Sequence, residues 1–179
     1  MITLKSTILL AAASLALPGC ATVMHGANQT YLIDTDPVGA TVKMSNGATC
    51  VTPCKLELPR RYDFRADISL TGYRPLYVLV HSKTGGATFG NLLAGGIIGA
   101  VVDSSNGANK QLSPNPLHVR LTAVGQTAAE VLLDSKGKET GTVEAYNDKV
   151  RVDVAKSIGP DLAGLPAPTA TPAAVPGGN

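Results

Sequence analysis

The chain has 179 residues, with 4% aromatics, no tryptophan, 16% charged residues, 19 glycines and 12 prolines. Such a composition suits one domain with accessory segments, made of short strands and turns around a small aliphatic core, and argues against a large catalytic domain with a deep pocket. Fifteen basic against 13 acidic residues leave no strong field for a polyanion, so nucleic acid is not an expected partner.

At the N-terminus a single charge, Lys5, precedes an apolar run from Ile8 to Leu17. That is a signal-peptide layout, and ten helical residues cover only about half of a 30 Å hydrocarbon core. The run ends in Leu17-Pro18-Gly19-Cys20, which resembles the lipobox of bacterial lipoproteins. The resemblance implies cleavage after residue 19 and lipid on Cys20, and Ala21 in place of aspartate implies outer-membrane sorting. The expected place is therefore the cell envelope, lipid-anchored and facing the periplasm. One acyl chain holds a protein marginally, whereas two or more anchor it stably. Residues 20–30 then read as a linker.

From Tyr31 onward apolar residues recur with period two, the mark of strands with one buried face. Ala40, Val42 and Met44 alternate with Thr41, Lys43 and Ser45, up to the turn dipeptide Asn46-Gly47. Cys50 and Cys54 follow, separated by Val51, Thr52 and Pro53. An oxidising envelope favours a disulfide stapling this turn; two free thiols, a redox pair and a soft-metal site are the alternatives. Leu56 and Leu58 alternate with Lys55 and Glu57. Tyr62, Phe64, Ala66, Ile68 and Leu70 share one strand face, with Asp63, Arg65, Asp67 and Ser69 on the other. Leu76 to Val80 is apolar on both faces, as a central strand would be. These signals predict an all-β fold, a small antiparallel β-sandwich.

The same stretch carries a family resemblance. Asp36-Pro37-Val38-Gly39-Ala40-Thr41-Val42, then Thr52-Pro53 ahead of a strand, then Gly72-Tyr73-Arg74-Pro75 resemble the PEGA domain, with Val38 where that family's motif has glutamate. The match runs from Tyr31 to His81. It implies an adhesive or structural β module of microbial envelope proteins, without catalytic residues.

Thr84 to Val102 is uncharged and holds six glycines. Gly86 and Gly90, and again Gly95 and Gly99, lie four apart, a spacing that gathers small residues on one helix face and permits close helix packing. Nineteen helical residues reach about 28 Å, just short of a bilayer core. This glycine-rich helical insertion has three expected resting places: the protein's own β module, the anchored leaflet, or a helix-helix assembly.

Leu117, Val119 and Leu121 predict a further strand, which closes a PEGA-like module over 31–122. Val131 to Asp134 and Val150 to Val154 predict an additional hairpin region over 123–158. From 159 to 179, five prolines among Ala, Thr and Gly read as a disordered tail.

No constellation for an enzyme assembles from His25, His81 and His118, which have no serine or cysteine nucleophile at a recognisable elbow. Asp34-Thr35-Asp36 lacks a calcium-loop register and reads as a strand end. No metal and no cofactor is expected. The expected function is a lipid-anchored structural or protein-binding module at the periplasmic membrane surface. The alternatives are a membrane-inserting oligomer built on Gly86, Gly90, Gly95 and Gly99, and an adhesin holding cell-wall polymer (peptidoglycan) near Arg60, Arg61, Arg65 and Arg74.

Overall fold

A computed structural model describes residues 26–84 and 109–166. The expected signal segment, Cys20, the four spaced glycines and the tail beyond residue 166 lie outside the described residues. Ten strands run in chain order: β1 (Asn28–Asp36), β2 (Thr41–Met44), β3 (Thr49–Val51), β4 (Cys54–Pro59), β5 (Phe64–Ser69), β6 (Leu76–Thr84), β7 (Lys110–Ser113), β8 (Leu117–Arg120), β9 (Val131–Leu133) and β10 (Glu139–Thr142). Two helices follow, α1 (Val143–Ile158) and α2 (Pro160–Ala163). The structure is thus mostly β. One five-stranded sheet has the order β10-β9-β8-β1-β4, and the other β3-β2-β5-β6-β7.

The alternation seen in the sequence is the alternation of burial. Ala40, Val42 and Met44 are buried while Thr41 and Lys43 are exposed; Phe64, Ala66 and Ile68 are buried while Asp67 and Ser69 are exposed. β2 and β5 pair antiparallel with Val42 opposite Ile68 and Met44 opposite Ala66, so both apolar sets face one way. Gly47 sits at φ 89°, which only glycine adopts without strain, and makes the tight turn between β2 and β3. Val78, Leu79 and Val80 are all buried, as the two-sided apolar run predicts.

Three expectations need correction. The first sheet is not purely antiparallel: β1 and β8 pair parallel, with Ile33 beside Leu117 and Asp36 beside Arg120. Val150 to Val154 is not a strand but part of α1. Alternation over five residues lost to a longer helical spacing, because Val143, Asn147 and Val154 are buried on one side while Val152 is 62% exposed. Thr142 caps this helix by accepting from the Ala145 N–H at 3.2 Å, and Asp148–Arg151 and Asp153–Lys156 pair one turn apart. The hairpin in this region is instead β9–β10, which extends the first sheet through β8. Finally, the segment expected to be disordered from residue 159 begins with a short helix, α2, started by Pro160.

The chain divides into two compact units. One comprises, among described residues, 26–31, Glu57–Arg61, 82–84 and 109–112; the other comprises Leu32–Leu56, Tyr62–His81 and 113–166. The first is organised by Arg60. Its guanidinium donates to the Asn28 carbonyl at 3.1 Å, to Gln29 Oε1 at 3.2 Å and to the Lys110 carbonyl at 3.3 Å. Gln29 Oε1 also accepts from the Leu112 N–H at 3.2 Å. Burial lowers the Arg60 pKa from its ordinary value, against the raising influence of Glu57.

Within the larger unit, α1 covers the edge of β6 at Tyr77 and Leu79, in a sheet where β6 lies between β5 and β7. The buried Asn147 side chain accepts from the Leu79 N–H and donates to the Tyr77 carbonyl, both at 2.9 Å. One amide therefore replaces a strand residue along that edge. Next to it, Tyr146 donates to the Ser113 carbonyl at 2.5 Å, and burial pushes its pKa up to about 12.

Candidate functional site

The strand exchange between the two sheets creates a corner. β3 is an edge of one sheet, and Thr52 and Pro53 carry the chain directly into β4, an edge of the other. Two devices fix it. Thr52, 3% exposed, shares a 2.5 Å hydrogen bond with the Thr35 hydroxyl on β1, and its Oγ1 accepts from the Ala40 N–H at 2.9 Å and the Gly39 N–H at 3.2 Å. Cys50 and Cys54 lie 6.3 Å apart at Cα, and their sulfurs stand 2.08 Å apart, a disulfide distance. Closing so short a loop contributes about 2 kcal/mol on the chain-entropy argument. The double variant Cys50→Ser/Cys54→Ser is accordingly expected to lose about 2 kcal/mol in urea denaturation and to remain folded; a loss of the whole transition would show that the pair does more than staple a turn.

Beside this corner the outward face of β1, β4 and β8 opens into a cleft of about 480 Å³. Its apolar lining comes from Leu32, Pro53 and Pro116, and Leu32 is a large apolar side chain left 41% exposed. Asp34, Lys55, His118 and Ser135 add polar groups of mixed sign. Strand geometry places them: Leu32 and Asp34 are successive outward residues of β1, and the parallel register sets Asp34 beside His118. Ser135 belongs to a tight loop in which Asp134 Oδ1 accepts from the Lys136 and Lys138 N–H groups at 2.8 and 2.9 Å. Those two bonds hold the Asp134 carboxyl below the usual carboxylate range. An apolar floor with ionisable groups around it, next to a cross-linked corner, has the chemistry of a recognition surface.

Of the site residues expected from sequence, the structure brings Cys50 and Cys54 together. Cys20, Gly86, Gly90, Gly95 and Gly99 lie outside the described residues. Three of the four arginines have the following partners in the structure. Arg60 is spent on the knot described above, Arg65 pairs with Asp67 at 2.7 Å and stacks 4.0 Å over the Tyr77 ring, and Arg74 pairs with Glu130 at 2.8 Å and donates to the Ala128 carbonyl. Leu32, His118 and Thr52 are not among the site residues expected from sequence, though an exposed leucine in a regular alternation, Leu32 between Tyr31 and Ile33, is a visible signal. His81 and Asp63 form a 3.0 Å pair that spacing did not suggest.

Among the described residues no group of three His, Cys, Asp or Glu side chains is placed to hold a metal ion, and no helix is long and apolar enough to cross a membrane. No protein-family description, curated protein or solved structure matches this chain.

Proposed function

We propose that this chain is a lipid-anchored cell-envelope protein, acylated at Cys20, which holds a PEGA-like β-sandwich at the periplasmic face of the outer membrane as a protein-binding module. The observation that carries the reading is Leu17-Pro18-Gly19-Cys20 at the end of an uncharged apolar run. Two structural facts support it. The cysteine pair at disulfide distance suits an oxidising compartment. The cleft at Leu32 and His118 offers a partner an apolar seat with polar groups around it. Tethering by two or more acyl chains would concentrate that face at the membrane, since each buried CH₂ contributes about 0.8 kcal/mol.

Growth with an alkyne fatty acid tests the anchor. Wild type is expected to take the label and fractionate with membranes, and Cys20→Ala to lose the label and appear in the soluble fraction. Equal labelling of the two chains overturns the proposal. In-cell crosslinking from a photoreactive residue at Leu32 then tests the binding face, and the same yield from exposed Val152 on α1 would count against it.

A further inference from the structure

The outward face of the second sheet carries a hollow of about 460 Å³ that shares no lining residue with the cleft at Leu32. Its walls follow from strand geometry. Val42 and Ile68 are buried, so their neighbours Thr41 and Ser69 point outward, and the β2–β5 register sets those two hydroxyl residues directly opposite each other. After Ser69 the chain turns through Leu70, Thr71 and Gly72, with the Tyr73 N–H donating to the Leu70 carbonyl at 3.0 Å. Gly72 takes φ 84° in that turn, and Thr71, Tyr73 and Pro75 complete the hollow. The wall is fixed before any ligand arrives: the Gly72 carbonyl accepts from the Val124 N–H and the Arg74 N–H donates to the Thr122 carbonyl, both at 3.0 Å.

Two properties select the ligand. Thr41, Ser69, Thr71 and Tyr73 each bring a hydroxyl, and among the described residues none of the four makes a hydrogen bond through its side chain. No Asp, Glu, Lys, Arg or His lines the hollow. An ion entering it gives up water without meeting an opposite charge, and an apolar segment buries the hydroxyls unpaired, so both are disfavoured. An uncharged pyranose meets both conditions. Its hydroxyls donate and accept, as those of the protein do, and its C–H face packs on an aromatic ring or a proline. Tyr73, half-buried, and Pro75, exposed, supply that packing surface. Beyond Pro75 a second hollow of about 470 Å³ shares Thr41, Ser69 and Pro75 with the first, which gives a chain of sugar units room to continue.

We propose that this hollow is a binding site for an uncharged saccharide, with Tyr73 and Pro75 as the packing surface and Thr41, Ser69 and Thr71 as hydrogen-bonding groups. The assignment rests neither on lipidation at Cys20 nor on the cleft at Leu32. Nuclear magnetic resonance of the isotope-labelled full chain in a zwitterionic detergent tests it by titration with two probes, triacetylchitotriose and maltotriose. At least one is expected to shift the amide signals of residues 39–41 and 69–75 and to saturate with a dissociation constant of about 1 mM, since an open surface buries few groups. A response to triacetylchitotriose alone assigns the site to acetylated amino sugars, a response to maltotriose alone to plain hexoses, and a response to both to the pyranose ring itself. Thr41→Val/Ser69→Ala/Thr71→Val, all at exposed positions, is expected to weaken binding about tenfold through lost hydrogen bonds, with an unchanged melting temperature. Thr49→Val, at an exposed position of β3 outside the hollow, is expected to leave binding unchanged. Three outcomes overturn the proposal: no shift with either sugar at about 10 mM, shifts centred on the cleft at Leu32, or equal binding by the triple variant and wild type.

Discussion

Asn147→Ala is expected to lower stability by about 3 kcal/mol, read as a shift of the urea midpoint at constant slope. The reason is an asymmetry of hydrogen bonding. The substitution removes one side chain but orphans two backbone groups, the Leu79 N–H and the Tyr77 carbonyl, on a strand whose Val78, Leu79 and Val80 are fully buried. Water has no easy access to replace the amide, so the desolvation cost of the orphaned groups is exposed. Asn147→Asp separates the two bonds, because the carboxylate can still accept from Leu79 but can no longer donate to Tyr77. It should also destabilise, and neutralising it at low pH should recover part of the loss. An alanine variant within 0.5 kcal/mol of wild type would show that α1 is held by its apolar contacts alone.

Thr52→Val is expected to cost about 2 to 3 kcal/mol despite its matched shape. The hydroxyl it deletes is the sole side-chain link between Thr35 on β1 and the Ala40 N–H just before β2 among the described hydrogen bonds. The Gly39 N–H retains the Thr52 carbonyl at 2.9 Å, which limits the damage to the other two groups. Thr35→Val/Thr52→Val should cost less than the sum of the single variants, since removing both hydroxyls leaves neither one unpaired. Strict additivity would mean that the two hydroxyls are not coupled.

These sites mark where sequence reading succeeds and where it stops. Alternation in 40–44, 64–69 and 117–121 was legible because one face of each strand is dry and the other wet, a local property that leaves a local trace. The cysteine pair was legible because four residues and a turn leave few geometries. Asn147 was not, since an asparagine in a helix says nothing of a strand edge 68 positions away. Nor was the parallel pairing of β1 with β8, because an alternating strand does not record the direction of its neighbour. Val150 to Val154 misled for a physical reason: three valines at every second position fit a strand, yet the decisive signal was the cap at Thr142 and the buried positions spread over about three turns. Of the candidate recognition surface, Leu32 left a trace and His118 did not, for its role depends on the register that sets it beside Asp34.

The pairing of β1 with β8 also bears on how such a chain matures. Asp36 and Arg120, joined by a 3.2 Å ion pair, are 84 positions apart, whereas β2 meets β3 and β5 meets β6 across a turn or a short loop, and Met44 of β2 meets Ala66 of β5 only 22 positions on. During vectorial delivery from ribosome or translocon, the local meander can assemble while β1 still waits for its mate. Until residue 120 emerges, that strand presents bare amide and carbonyl groups along one flank. The interval is a window in which chaperones, proteases or a neighbouring polypeptide compete for it, and its length is set by everything the chain carries between the two strands.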